Sequence, residues 1–476
     1  MTDLLTEPCQ TQRSALQARK VSSRELLAAT FARIDAINPL LNAVIAEDRA
    51  TAQIAADESD RRYADGTARA LEGLPITIKD AFEAAGLLAT CGSETLADHR
   101  PDEDAPAVAR LRAAGAVIIG KTNVPPFSAD WQTDNALHGR TNNPWDLARS
   151  PGGSSGGSAT AVAAGMSAFE LGSDIAGSIR WPCQATGIFG HKPTWGLIST
   201  RGHIPPAPWF ASDPQMLAAG PLARDGGDLA MLMSVLASDP LAPARDTPRS
   251  WRIGLVTAIP GVATSLDVVS AVETAGRVLA ESGAAVESVQ PRLSLEGIWR
   301  AYLRQLCRMH HASRPSRARA GWAARAGSFD RDDLSPAAWL ARTAQHTDAE
   351  LLAELDERSN WWSAIDAVFA RYDVLLMPPA PTAALPHDDR AFEERTMPVD
   401  GQARSVFEMA AWVAPATLLH LPATTAPVAA TSAGLPLGVQ VVGPLGADLT
   451  TIRIATTIAE RARGYRPPPI ALAHSR

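Results

Sequence analysis

Three segments of the chain carry residue types that together suffice for acyl transfer without a histidine. Gly73-Leu74-Pro75-Ile76-Thr77-Ile78-Lys79-Asp80 sets a lysine inside an apolar run. Pro151-Gly152-Gly153-Ser154-Ser155-Gly156-Gly157-Ser158 is a glycine-serine block, and Gly172-Ser173-Asp174-Ile175-Ala176-Gly177-Ser178-Ile179-Arg180 carries a further serine on a run of small residues. A serine hydroxyl is a weak nucleophile until a base takes its proton during attack. Lysine can be that base only when neutral, and desolvation among Leu74, Ile76 and Ile78 would push its amine toward that state. Ser154, both donor and acceptor, is suited to pass a proton between Ser178 and Lys79.

The lysines are informative by their scarcity. Lysine and arginine together number 44, yet only Lys20, Lys79, Lys121 and Lys192 are lysines. Where a generic cation suffices this chain uses arginine, so a retained lysine suggests a task arginine cannot perform, the loss of a proton being the obvious one. Lys20 reads instead as an amphipathic stem with its head in water.

The glycine-serine block is not a phosphate-binding loop, because no lysine follows its last glycine. Gly152-Gly153-Ser154-Ser155-Gly156 also fits G-x-S-x-G, but a nucleophile elbow leaves a hydrophobic strand directly, and the residues before this block have loop composition. A flexible linker is disfavoured because the block leads straight into a small-residue helix. In the third segment, the turn Ile175-Ala176-Gly177-Ser178 would let backbone N–H groups approach a developing oxyanion. An ordinary tight turn has the same pattern.

The elements that would position these residues are those of an α/β protein. Ser22 and Glu25 form a capping-box pattern ahead of a helix that should stop at Asn38-Pro39. From residue 74 short apolar strands alternate with helices: strands at 74–78, 116–119 and 168–172, helices at 106–114 and 158–165. Further strands are expected at 252–256, 285–289, 373–377, 424–428 and 437–442. The pattern predicts one large mixed sheet flanked by helices on both faces, with the third segment at a strand end, where active sites of open α/β sheets lie. No Gly/Ser/Pro linker divides the chain, so residues 1–476 are expected to form one domain, with N-terminal helices over about 1–65 and a helical elaboration over about 295–370.

Composition bounds the function. A net charge of −7 argues against a nucleic-acid surface, and no apolar run approaches 18 residues. The acidic start of the chain does not resemble a basic leader, so a cytoplasmic protein is expected, without a membrane span. Cys9, Cys91, Cys183 and Cys307 are scattered and read as reduced, buried thiols, and no metal site or cofactor is expected.

Taken together the segments resemble the amidase signature family of serine hydrolases. The likeness extends through Gly120-Lys121-Thr122-Asn123, Thr141-Asn142-Asn143-Pro144, Gly190-His191-Lys192-Pro193-Thr194 and Gly434-Leu435-Pro436-Leu437-Gly438-Val439-Gln440. It implies the fold of that family, with Ser178 as nucleophile, Ser154, preceded by a cis peptide bond, as bridging serine, and Lys79 as base. The backbone of Ile175, Ala176, Gly177 and Ser178 would form the oxyanion hole, supported by Ser155, Asp174 and Arg180. The chain departs from the family at Ala176, where most relatives have glycine and a positive φ would cost alanine about 1 kcal/mol. It departs again at His191, read as a satisfied histidine with a catalytic role as the alternative. His191-Lys192-Pro193-Thr194-Trp195-Gly196 and the loop after it differ from the glutamine-using amidotransferase branch. The resemblance implies hydrolysis of a small carboxamide through an acyl-serine, with acyl transfer, amide synthesis or esterase side activity as alternatives. A homodimer is a possible assembly. Phe127, Trp131, Trp181, Trp209 and Met216 are candidates to line a pocket for an apolar or aromatic substrate.

Overall fold

The computed structural model describes residues 2–204, 215–244, 247–290, 293–312, 316–345 and 347–473. Strands β1 (Val44–Glu47), β2 (Pro75–Lys79) and β3 (Val117–Thr122) form a small sheet in the order β1-β3-β2. The second sheet holds β4 (Glu170–Asp174), β5 (Phe189–Lys192), β6 (Ala218–Ala223), β7 (Arg252–Leu255), β8 (Ala285–Ser288), β9 (Val374–Met377), β10 (Ala423–Ala430) and β11 (Pro436–Val442). Its order is β8-β7-β9-β11-β10-β5-β6-β4. Pairing is parallel where β7 meets β8 and β9 and antiparallel elsewhere, so the sheet is mixed, as expected.

The sheets meet edge to edge near the candidate chemistry. Ala168 N donates to Pro75 O at 3.0 Å, and Thr77 N to Ser167 Oγ at 2.9 Å. Glu170 Oε1 accepts from Thr77 Oγ1 and Thr122 Oγ1, both at 2.8 Å, so one buried carboxylate ties β4 to β2 and β3.

Alternation along β11 separates two cores. Val439 and Val441 pack in one apolar cluster with Ile452, Ile458, Val272 and Leu279, from the helices Asp448–Arg461 and Leu266–Glu281. Val442 packs in the other, with Trp412 and Trp299, and Gln440 bonds Trp412 O and Arg180. Successive side chains of a strand point to opposite faces, which places helical layers on both sides. The stretch expected to be helical at 295–370 holds the helices Leu295–Ala312, Ser316–Ala324, Pro336–Thr343 and Asp348–Phe369. Trp299, Trp339 and Trp361 are buried there, while Trp362 is half-exposed.

Expected strands and helices occur within two residues of their predicted starts, with differences that have physical causes. The helix Ser23–Leu41 is capped by Ser22 and Glu25 as predicted but runs through Pro39. Asn42, left-handed at φ 48°, ends it, and the Asn38 side chain fixes the exit by accepting from Ala43 N and Val44 N. β1 therefore interrupts the N-terminal region expected to be helical. Two strands of the large sheet, β5 and β6, were not predicted. Ala218-Ala219-Gly220-Pro221-Leu222-Ala223 lacks the branched residues that announce a strand and carries a proline, yet it lies between β5 and β4. Its close fit is the compensation, since a Cβ at Gly220 would overlap His191 O.

All four cysteines are buried and free. Among the described residues, no helix is long and apolar enough to cross a membrane. Gly220→Ala is expected to lower stability by about 1–3 kcal/mol through overpacking, read as a reduced urea midpoint at unchanged slope.

Candidate active site

Lys79 ends β2, and its whole side chain is buried. Its Nζ lies 2.8 Å from Ser154 Oγ and 2.9 Å from Ser173 Oγ, with no carboxylate oxygen in direct contact among the described residues. Burial pushes the amine down to about 7, against the opposing pull of Cys91, Asp174 and Glu170. Lys121 and Lys192 are buried as well, so the scarcity of lysine marks three interior amines rather than one. Their partners differ in kind. Lys121 Nζ donates to Phe82 O at 2.5 Å and lies 3.4 Å from Asp80, and Lys192 Nζ donates to Pro193 O at 2.8 Å. Those oxygens have no proton to give. Of the three amines only Lys79 faces hydroxyls, a requirement for a base in a relay.

Ser154 follows a cis Gly153–Ser154 peptide bond, in the loop before the helix Gly156–Ala163. Glycine is required at 153 by close approach, because a Cβ there would sit 2.7 Å from the carbonyl oxygens of Asp130 and Gln132. Ser155 is a spacer between the two serine loops: its N donates to Ser178 O and its Oγ to Ser173 O, each at 3.3 Å.

Asp174, the last residue of β4, organises the turn that presents Ser178. Its carboxylate accepts from Gly177 N at 3.0 Å, Ile179 N at 3.1 Å and Arg180 N at 3.3 Å. Arg180 closes a bidentate pair on it at 3.0 and 2.8 Å, both side chains being fully buried. Burial opposes the Asp174 charge, but Arg180 and the backbone donors hold its carboxyl below the usual range. Arg180 also donates to Val413 O, Gln440 Oε1 and Thr417 Oγ1, joining the turn to β11 and to the helix Ala414–Leu418.

Of the four backbone groups expected to receive an oxyanion, one has a partner of its own. Gly177 N–H is committed to Asp174, whereas the N–H groups of Ile175, Ala176 and Ser178 have no acceptor among the described residues. The concern over Ala176 also falls away. The positive φ of the turn, 86°, belongs to Gly177, where a Cβ would meet Val413 Cγ1 at 3.0 Å; Ala176 is not among the residues with positive φ. The Ser178 hydroxyl has no hydrogen-bond partner among the described residues.

Of the predicted pocket aromatics, Trp131 and Trp181 form a wall behind this turn. Trp131 Nε1 donates to Ala176 O at 2.7 Å and Trp181 Nε1 to Trp131 O at 3.2 Å. Met216 is buried in the same cluster, Phe127 is exposed, and Trp209 lies outside the described residues. Sequence reasoning missed Tyr302, whose hydroxyl donates to Ile175 O at 2.8 Å, and Phe392 and Phe407, whose rings lie 5.8 and 6.0 Å from that of Trp131. It also missed Ser173 and His203, whose Nε2 is 2.7 Å from Ser173 Oγ. His191 is satisfied as read, with Nδ1 2.9 Å from Thr424 Oγ1 and Nε2 3.0 Å from Asp448 Oδ1. Arg358 is buried, contacting Gln215 Oε1 at 3.0 Å, His420 Nε2 at 2.6 Å and the Trp362 ring at 4.7 Å, with no carboxylate among the described residues. Among the described residues there is no cluster of three or more His, Cys, Asp or Glu side chains able to hold a metal.

The structure thus brings Lys79 into contact with Ser154 and Ser173, and sets Ser178 on a turn pinned by the Asp174–Arg180 pair. A family model for amidases matches residues 25–452, and the chain belongs to the amidase family. It is 42% identical over 300 residues, about 60% of each chain, to a glutamyl-tRNA(Gln) amidotransferase subunit from Roseiflexus castenholzii, so it spans well under two thirds of that relative's length. The like-named protein from Anaeromyxobacter sp. strain K is 33% identical over 488 residues, 96% of both chains. Among solved structures, a bacterial aryl acylamidase of the amidase signature family superposes with a TM-score of 0.79 at 26% identity, covering 96% of each chain.

Removing half of the Asp174–Arg180 pair strands a buried charge. Arg180→Leu is expected to cost about 3–5 kcal/mol, measured by denaturant unfolding.

Proposed function

We propose that this chain is an amidase that cleaves a carboxamide C–N bond through an acyl-serine intermediate on Ser178. The observation that carries this reading is the buried Lys79 amine, 2.8 Å from Ser154 Oγ. Ser178 Oγ attacks the substrate carbonyl carbon while its proton passes to Ser154, whose own proton passes to Lys79. The N–H groups of Ile175, Ala176 and Ser178 receive the oxyanion. The proton returns through Ser154 to the leaving nitrogen as the C–N bond breaks, and water, deprotonated along the same route, releases the acid and regenerates Ser178.

The finer reading is a small substrate with an apolar or aromatic part. Trp131, Met216, Tyr302 and Phe407 cluster beside Ile175 and Ala176, and the aryl acylamidase is a full-length structural neighbour. A second reading has specific support. The full-length relative from Anaeromyxobacter is named as part of an amidotransferase, despite the differences at residues 191–196. Arg358, a buried guanidinium joined to Gln215 next to Met216, suits a substrate carboxylate such as that of glutamine.

Intact mass measurement after incubation with a panel of amides tests both: an aryl or alkyl acyl adduct absent from Ser178→Ala supports the first, and a glutamyl adduct lost in Arg358→Met supports the second. Hydroxylamine separates hydrolysis from transfer, because hydroxamate formed without free acid would rule out a hydrolase. Ser178→Ala is expected to abolish turnover. Lys79→Arg should lower kcat by about a hundredfold or more at neutral pH, since guanidinium keeps the charge but cannot accept the proton. Because the amine must be neutral to act, kcat/KM is expected to fall about tenfold per pH unit below a midpoint of about 7. A flat profile between pH 5 and 8 would contradict the neutral-base role.

A further inference from the structure

A neutral amine has one lone pair, and two hydroxyls stand within hydrogen-bond reach of Lys79. Ser154 Oγ is 2.8 Å from Nζ and Ser173 Oγ is 2.9 Å away. If Ser173 donates its hydrogen to that lone pair, Ser154 has no acceptor and the relay is blocked. Something must draw the Ser173 hydrogen elsewhere. The group that touches Ser173 on its other side is the imidazole of His203, with Nε2 at 2.7 Å. That separation is typical of an O–H donor and short for a ring N–H donor, whose usual range centres near 2.9–3.0 Å.

We propose that His203 is a positioning residue for the amidase reaction, accepting the hydroxyl hydrogen of Ser173 at Nε2 so that the Lys79 lone pair is left to Ser154. The hydrogen bonds then run in one direction, from Ser154 O–H to Lys79, from Lys79 N–H to Ser173, and from Ser173 O–H to His203. When Lys79 takes the Ser154 proton, the ammonium it becomes donates to a Ser173 oxygen already oriented to accept. No further proton is transferred to His203.

Two features separate His203 from a histidine that merely fills space. His191 has partners at both ring nitrogens, whereas His203 Nδ1 is buried with none among the described residues, so Ser173 Oγ is the one hydrogen-bond partner of the His203 ring among them. Its plane is set by edge-to-face packing on Phe82, with centroids 4.8 Å apart, and by the bridge that pairs residue 82 with residue 203. Burial and the neighbouring Lys79 hold the imidazole well below its ordinary pKa, which keeps the ring neutral, with one nitrogen able to accept. The groups acting on Lys79 are Cys91, Asp174 and Glu170, and replacing an uncharged His203 alters none of their charges.

The inference rests on the Ser178–Ser154–Lys79 reading, and the test keeps the two apart. The readout is the rate at which a fluorophosphonate labels Ser178 between pH 5.5 and 9, which needs no knowledge of the natural substrate. His203→Phe is expected to lower the plateau rate about tenfold, within the range of general-base effects, and to move the acidic limb to lower pH. The limb moves because a Ser173 hydroxyl donating to the amine stabilises its neutral form. His203→Gln, which restores an acceptor, should recover most of the rate and the original limb. In a Ser173→Ala background, His203→Phe should cause no further loss, the competing hydroxyl being gone. His203→Leu serves if the phenylalanine variant melts early.

An unmoved acidic limb, or an equal loss in the Ser173→Ala background, overturns the proposal and assigns His203 to packing. Labelling that persists in Ser178→Ala overturns the underlying reading instead.

Discussion

A lysine amine buried against hydroxyls, with carboxylates near enough to feel but not to touch, is the constraint around which the rest is arranged. A cation so placed loses most of its hydration, and the usual interior remedy is a carboxylate partner. Lys121 takes that remedy in part, with Asp80 at 3.4 Å. Lys79 takes only Ser154 and Ser173, and the imbalance brings its amine to about 7. Glu170, although buried nearby, is itself pushed up to about 7 by burial, and its Oε1 is engaged by Thr77 and Thr122. The charge that would have locked the lysine as an ammonium is thus partly withheld.

Holding an amine in that state demands rigidity from distant parts of the chain. The serine loop stands on Gly153, packed against the backbone at 130–132, and the nucleophile turn stands on Asp174. Arg180 neutralises Asp174 and then reaches Thr417, Val413 and Gln440, so the turn is fixed by groups more than 230 residues away in sequence. One buried ion pair therefore couples the turn after β4, which carries Ser178, to β11 and to the helix Ala414–Leu418. The Gly177 N–H, bonded to Asp174, holds the same turn in shape.

The candidate catalytic residues were legible in the sequence because each sits in a motif with a local reason to exist. Lys79 lies in an apolar run, Ser154 among glycines needed for close approach, and Ser178 on a turn of small residues. Most strands were legible for the same reason, as apolar runs bounded by turns. What stayed hidden depends on contacts far apart in the chain. β6 contains Gly220 and Pro221 and is a strand only because β4 and β5 flank it. Lys192 carried no local sign of burial, although it is buried and Lys20 is exposed. His203 stands in the ordinary loop sequence Gly202-His203-Ile204-Pro205, and nothing local announces that folding carries it to Ser173. Tyr302 is one more residue on an amphipathic helix until its hydroxyl is found on Ile175 O.

These hidden contacts share a pattern that bears on how the site divides its work. The candidate catalytic residues lie between 79 and 178, whereas much of what packs on the Ile175–Gly177 turn and on Trp131 comes from beyond residue 295: Tyr302, Phe392, Phe407 and Val413. Trp131 joins the halves, its indole bonded to Ala176 O and its ring against Phe392 and Phe407. Changes in the later region can alter the shape offered to a substrate without touching Lys79, Ser154 or Ser178. Changes in the earlier region strike the hydrogen bonds that hold Lys79, Ser154 and the Ser178 turn. Proteins with one fold and one reacting core can consequently act on different amides, and substrate identity must be sought on the wall built by the later half of the chain.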